Sequence, residues 1–498
     1  MSRSLLSWMA ALGLLVLPRT GAPAQDEPLR PQFHFSPARN FMNDPNGLVF
    51  FEGEYHLFYQ HNPEGDRWGH MSWGHAVSPD LLHWTHLPVA LREENGIMVF
   101  SGSVVVDHED RSGLCGGRPC LVAVYTGHTK DRQTQNLAAS RDRGRTFAKY
   151  AGNPVLDLAR KDFRDPKVFW HAPTARFVMV TVLPDEHKVR FFASRDLKHW
   201  EALSDFGPAG AQGGVWECPD LFVLPVEGEP GVTRWVLDVD LNPGGIAGGS
   251  GDQYFVGTFD GVRFTSDEPP TRTLWADYGK DFYATLSFAN LPPADGRSIW
   301  MGWMSNWLYA NDTPTAPWRG VQSVPRVLSL RRLPEGLRLV QAPVAELRAL
   351  RKRAEPTLVA REAELPGSAD IELELVRGAW KEAGLRFSNE LGEQVVVGVS
   401  VEPLEVFVDR RRSRLRPFHE GYPGRHAGPV RFEGEAGGRV RLRILFDRST
   451  LEVFANGGES VISDRVFPTR PLTRLEVVGD PSAIPTPVRL SELESVWR

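Results

Sequence analysis

A chain of 498 residues exceeds one ordinary domain, and 41% hydrophobic content suffices for two sizeable cores. The net charge of -5 gives no electrostatic reason to expect nucleic acid or an anionic membrane as partner. Fifteen Trp and 27 Phe suit strand cores or sugar-stacking surfaces.

Residues 1–24 read as a signal peptide. Arg3 supplies the charge, 5–17 the apolar run and Ala22-Pro23-Ala24 the small-residue cleavage pattern. That run is too short to span a bilayer comfortably, and no later stretch is long and apolar enough, so the expected product is secreted or periplasmic. Cys115 and Cys120 flank the turn Gly116-Gly117-Arg118-Pro119, and export favours a local bridge between them, a pairing the sequence leaves open. No second ligand pair follows at a zinc spacing, so neither metal nor cofactor is expected. Cys218 reads as a small buried residue rather than a nucleophile.

From 25 to 340 the pattern is strand and turn with almost no helical periodicity. Asn43-Asp44-Pro45-Asn46-Gly47, taken alone, is a turn. Apolar hairpins then recur at 48–59, 104–125, 168–183, 221–241 and 283–304. Four are followed by a third strand ending in a related corner, clearest in Ser78-Pro79-Asp80-Leu81-Leu82-His83-Trp84 and Ser194-Arg195-Asp196-Leu197-Lys198-His199-Trp200. A repeat of about 50–65 residues built from antiparallel strands predicts a five-bladed β-propeller. A sandwich of similar length would not explain the repeated corner. Residues 341–356 read as a linker with a short helix over 342–353. The remainder, 357–498, alternates cleanly and predicts a β-sandwich, making the chain all-β. Asp447 reads as a turn residue there, and Arg410-Arg411-Arg412 as solvated loop surface.

In a propeller the first strand of each blade lines the central channel. Asp44, Asp165 and Glu217 lie at or just before three of those strands, so three acids are expected at matching positions of one funnel. Unpaired carboxylates there repel and desolvate one another, which is hard to explain as structure. Two carboxyls across a sugar-sized gap are the minimum for glycoside hydrolysis. The apolar flanks of Glu217 suit a proton donor, whose pKa must be raised. The polar neighbours of Asp44 suit an ionised nucleophile. Arg164 beside Asp165 suits a carboxylate that stays charged and binds hydroxyls.

Four blocks, Asn43-Asp44-Pro45-Asn46-Gly47, Phe100-Ser101-Gly102-Ser103, Phe163-Arg164-Asp165-Pro166 and Trp216-Glu217-Cys218-Pro219, resemble in order and spacing the signatures of glycoside hydrolase family 32. That family contains invertases, levanases and inulinases, and the resemblance runs from about His34 to the C-terminus. It implies a retaining mechanism on β-fructofuranosides such as levan, inulin or sucrose. Asp44 would be nucleophile, Glu217 acid/base and Asp165 the transition-state stabiliser. Asn43, Gln60, Trp68, Ser101, Arg164 and Trp303 would surround the terminal fructose, the bland reading of both tryptophans being core packing. Asn242-Pro243-Gly244-Gly245 and Gly248-Gly249-Ser250-Gly251 look like the exo-acting branch. This glycine run lacks the Gly-Lys-Ser/Thr ending of a phosphate loop and leads into a strand. A fructosyltransferase using the same intermediate, or a fructan-binding protein without turnover, are the competing readings.

Overall fold

The computed structural model describes residues 26–434 and 438–497, so the N-terminal leader expectation lies outside the described residues. Five four- or five-stranded sheets, antiparallel but for one short parallel edge pairing, are followed by two six-stranded sheets, giving a five-bladed β-propeller and a β-sandwich. The innermost strands are Asn40–Phe51, Met98–Asp107, Arg164–His171, Val215–Pro225 and Tyr283–Ser287. Each touches the next around a ring, and the fifth touches the first. The ring is closed by backbone: Phe50 N–H donates to Ala289 O, Ala289 N–H donates to Leu48 O, and Trp318–Arg319 pairs in parallel with Asn40 and Phe41.

The repeated corner has one physical cause. Asp80 Oδ1 accepts the backbone N–H groups of Leu82 and His83, while its Oδ2 meets His83 Nδ1 at 2.7 Å. Asp196 repeats the arrangement with Lys198 and His199, also at 2.7 Å. Trp84 and Trp200 each return their indole N–H to the residue three back, Leu81 O and Leu197 O. Both leucines have left-handed backbone, φ 70° and 63°, which these side-chain hydrogen bonds offset.

Three expectations require correction. Asn43 to Gly47 is not a turn but the middle of a twelve-residue strand interrupted by two bulges. Over 342–353, the blade V strand continues through Pro343 and only Ala345–Leu350 is helical, as a 3₁₀ segment burying Leu347 and Leu350. Arg410 is not solvated: it lies in the strand Leu404–Arg412, fully buried, with its guanidinium 2.5 Å from Asp281 of blade V and over the Tyr422 ring. Only Arg411 and Arg412 are exposed.

Arg410 belongs to a seam of buried charges joining propeller to sandwich. Asp447 anchors the start of the propeller by accepting the backbone N–H groups of Gln32, Phe33 and His34. The His34 ring bridges Asp447 and Glu452, at 2.9 and 2.8 Å. Arg326 binds Glu452 at 2.5 Å and Asp277 at 3.3 Å. Burial pushes Glu452 upward, but Arg326 and His34 hold it down at about 2. Removing one partner of a buried pair leaves the other uncompensated. Glu452→Gln is therefore expected to destabilise the protein by about 3–5 kcal/mol, read as a lowered urea midpoint. A midpoint equal to that of the wild type would contradict the seam's role.

Candidate active site

Every inner strand carries a bulge at the same height. Two residues oppose one on the second strand: Asn43-Asp44 opposite Gln60, Phe100-Ser101 opposite Thr126, Asp165-Pro166 opposite Thr181, Cys218-Pro219 opposite Val239, and Ala284-Thr285 opposite Gly302. A bulge bends its strand and re-aims a side chain. Pro166 and Pro219 occupy the second bulge position, where no ladder N–H is required. Asp165, Cys218 and Ala284 take the first position with left-handed backbone, φ 62°, 44° and 54°. Such conformations cost on the order of 1–3 kcal/mol each and persist only where the surroundings hold them. In blade II the strand passes so close to its partner that a Cβ on Gly102 would lie 2.1 Å from Val124 O.

The register refines the expectation of matching positions. Asp44 is a second bulge residue, equivalent to Ser101. Asp165 is a first bulge residue, and Glu217 precedes its bulge, equivalent to Arg164 and Tyr283. Three different steps along the same bulge thus bring three acids together from blades I, III and IV.

Asp44 is buried, accepting Asn43 Nδ2–H on Oδ1 at 2.9 Å and Ser101 O–H on Oδ2 at 2.5 Å. Asp165 Oδ2 accepts the Cys218 backbone N–H at 3.0 Å, and its own N–H donates to Thr126 Oγ1 at 2.9 Å. Glu217 accepts from both sides, Arg164 Nε–H at 3.2 Å and the Tyr283 hydroxyl at 2.5 Å. The apolar-flank argument for Glu217 therefore fails: its carboxyl faces a cation and a phenol, and at 21% exposure it is the most open of the three acids. Burial pushes Asp44 up to about 6, against the hydrogen bonds from Ser101 and Asn43. Burial also pushes Asp165 up to about 7, against the Arg164 charge.

Two residues at the site were not singled out by motif reasoning. The Cys218 thiol lies between Asp44 Oδ2 and Asp165 Oδ2, at 3.6 and 3.7 Å, and the residue is half-buried, so it is neither the buried residue the sequence suggested nor inert filling. Tyr283 was visible only as the fifth member of the repeat, at the position Glu217 holds in blade IV. Of the expected sugar contacts, Asn43, Ser101 and Arg164 adjoin the acids. The buried Gln60 amide nitrogen donates to Asn46 Oδ1 and Val99 O, at 2.9 and 3.0 Å. Trp68 stands at the rim, 41% exposed and edge-on to Phe100. Trp303 has no exposed surface. It packs behind Tyr283 against Phe41 and Trp307, supporting the wall rather than lining it.

Among the described residues one acidic grouping has metal-like convergence, Asp107, Asp110 and Cys115. Cys115 is in a disulfide with Cys120, and both aspartates accept backbone N–H groups of the same loop. It is a stapled turn.

The pattern of the glycosyl hydrolases family 32 N-terminal domain matches residues 34–343, and that of the family's C-terminal domain matches 346–491. The chain belongs to glycoside hydrolase family 32. It is 42% identical to a levanase of Bacillus subtilis, over 100% of this chain and 76% of that protein. It is 38% identical to the extracellular exo-inulinase of Aspergillus ficuum, over 95% and 96%. The crystal structure of an exo-inulinase from Aspergillus awamori superposes with a TM-score of 0.89 at 35% identity, covering 95% of this chain and 100% of that one. A β-fructofuranosidase from Schwanniomyces occidentalis complexed with fructosyl-erythritol gives 0.86 at 30% identity, over 94% and 98%. This family 32 chain is accordingly a glycoside hydrolase.

An acid whose folded pKa is raised stabilises the fold fully only below its unfolded value, and that stability is lost as pH rises through the folded one. Asp44→Asn is therefore expected to melt above the wild type at pH 8, with the difference vanishing near pH 4. Thermal scans at both pH values check this. A lower melting temperature for the variant at pH 8 would contradict it.

Proposed function

We propose that this family 32 hydrolase is an exported exo-acting β-fructofuranosidase releasing terminal fructose from levan, inulin or sucrose through a covalent fructosyl-enzyme intermediate. Residues 25–340 would form the catalytic unit, with 341–356 leading into the sandwich of 357–498. The observation that carries the reading is the convergence of Asp44, Asp165 and Glu217 from three blades, each carboxyl with its own donors. The relatives' names, levanase and exo-inulinase, support the substrate class.

Asp44 is assigned as nucleophile. Its two donors, Asn43 and Ser101, hold the carboxylate in one orientation and favour its anion. Glu217 is assigned as acid/base, because its greater exposure suits a group that must reach the leaving oxygen and later an entering water. Arg164 and Tyr283 stabilise its anion once the proton has left. Asp165, its carboxyl held by the Cys218 backbone N–H and its own N–H by the Thr126 hydroxyl, is assigned to the fructose hydroxyls and to the positive charge that grows in the oxocarbenium-like transition state. Trp68 at the rim offers an aromatic face to the next sugar.

Product analysis on sucrose, inulin and levan tests this reading. Free fructose should accumulate from the chain ends, and Asp44→Ala should lower kcat on the order of 10⁴-fold or more. Growth of long oligosaccharides in concentrated sucrose would instead make it a transferase. Because Asp44 must be ionised to attack, kcat/KM should fall as pH drops through about 6. Full activity at pH 4 would contradict Asp44 as the nucleophile.

A further inference from the structure

Below Glu217, on the same face of blade IV, lies a carboxyl that the chemistry above does not use. Asp240 is the direct cross-strand partner of Glu217 on one side and of Asp252 on the other. Cross-strand partners project to one face, where like charges destabilise the pair. Asp240 and Asp252 are fully buried, and none of their four carboxyl oxygens has a hydrogen-bond partner. The Ala284 backbone N–H approaches Asp240 without reaching hydrogen-bond geometry. Asp238, two residues along, accepts the Thr285 hydroxyl and meets the Asp252 carboxyl.

No cation serves this group among the described residues. Arg164 is spent on Asp162, Asp165 and Glu217. Lys167 is spent on Asp220 and Ser287. Nor do the oxygens converge as metal ligands would. The groups facing Asp240 are Glu217, Asp238 and Asp252 on its own blade, Asp44 across the channel, and the uncharged Cys218 and Tyr283. With Asp165 beside Asp44 and Glu217, ionising every acid would set the Arg164 guanidinium against six carboxylates, those of Asp44, Asp165, Glu217, Asp238, Asp240 and Asp252. Two unit charges 4 Å apart repel by about 4 kcal/mol at an effective dielectric of 20. Protons must therefore remain, and the acids without donors are the first to hold them and the last to lose them. Asp44, Asp165 and Glu217 each have donors in hydrogen-bond geometry, whereas Asp240 and Asp252 have none; the Thr285 hydroxyl and the Asp238 carboxyl approach Asp252 without reaching that geometry.

We propose that Asp240 is a positioning residue for Glu217, a carboxylic acid that stays protonated beneath it and spares the proton donor a further negative neighbour. The acid/base carboxyl then takes its charge balance from Arg164 and Tyr283 above rather than from the acids below. The inference rests on the assignment of Glu217 as acid/base only in its kinetic consequence; the protonation of Asp240 stands apart from it.

Infrared difference spectroscopy of the full chain, wild type against Asp240→Asn at pH 7, reads the proton directly. The carbonyl stretch of a protonated carboxylic acid should be present in the wild type and lost in the variant. A difference showing only ionised-carboxylate bands would overturn the proposal. The kinetic arm follows the basic limb of kcat/KM. Replacing a neutral acid by a neutral amide should leave that limb within a few tenths of a pH unit. If Asp240 were an anion, its removal would lower the donor's pKa and move the limb down by a unit or more, which would also overturn the proposal. A wild-type band lost in the variant together with a displaced limb would overturn the positioning role and locate the failure in the Glu217 assignment, not in the proton. Should Asp240→Asn fail to fold, the wild type alone suffices. Each buried neutral acid makes the unfolding constant rise tenfold per pH unit; above about pH 7, where Asp44 and Asp165 have lost their protons and no longer contribute, a pH-independent unfolding constant would contradict protonation.

Discussion

Five bulges in five inner strands are the constraint on which the site depends. A regular strand would alternate its side chains between the two faces of each blade, leaving none aimed along the channel. The bulge inserts one residue, bends the strand and turns one or two side chains toward the axis. Because the insertion falls at the same height in every blade, the turned side chains share one small volume. The left-handed backbone at Asp165, Cys218 and Ala284 is the local cost, held in place by ladder pairing above and below. The residues at the three steps of the bulge differ from blade to blade. One geometry therefore delivers a nucleophile candidate, a proton-donor candidate, their partners and a thiol.

Charge is managed by where donors are placed. At the seam between propeller and sandwich, buried carboxylates meet Arg326, Arg410 or His34, and Glu452 is held ionised. At the channel mouth, donors are fewer and burial lifts Asp44 and Asp165 into the range where protonation and reaction compete. Beneath it, Asp240 and Asp252 have none. The protein grades from paired charge to uncompensated acid within one fold, and the reactive carboxyls lie between the two regimes.

Much of this was legible in the sequence because it is carried by short-range chemistry. The Ser-x-Asp-Leu-x-His-Trp corners announce themselves, since the Asp satisfies backbone within three residues. The hairpins follow from strand periodicity, and the blade count from the repeat. The acids stood out because their blocks are contiguous. What stayed hidden depends on partners distant in the chain. Asn43 to Gly47 has turn composition, yet pairing with 54–62 and closure by Ala289 draw it into a strand. Arg410 sits in a run of three arginines, and only Asp281, 129 residues away, shows it to be buried. Tyr283 and Cys218 gain meaning from carboxylates on other blades. Trp303 shares a position in the fold with the site without reaching its surface.

Mapping the covalent intermediate tests the central claim most directly. Acid-quenching the enzyme during turnover of sucrose, digesting it and locating the fructosyl adduct by mass spectrometry identifies the carboxyl that the bulges deliver for attack. The account predicts the adduct on the peptide carrying Asp44, and none there in Asp44→Ala. An adduct on Asp165 or Glu217 would contradict it.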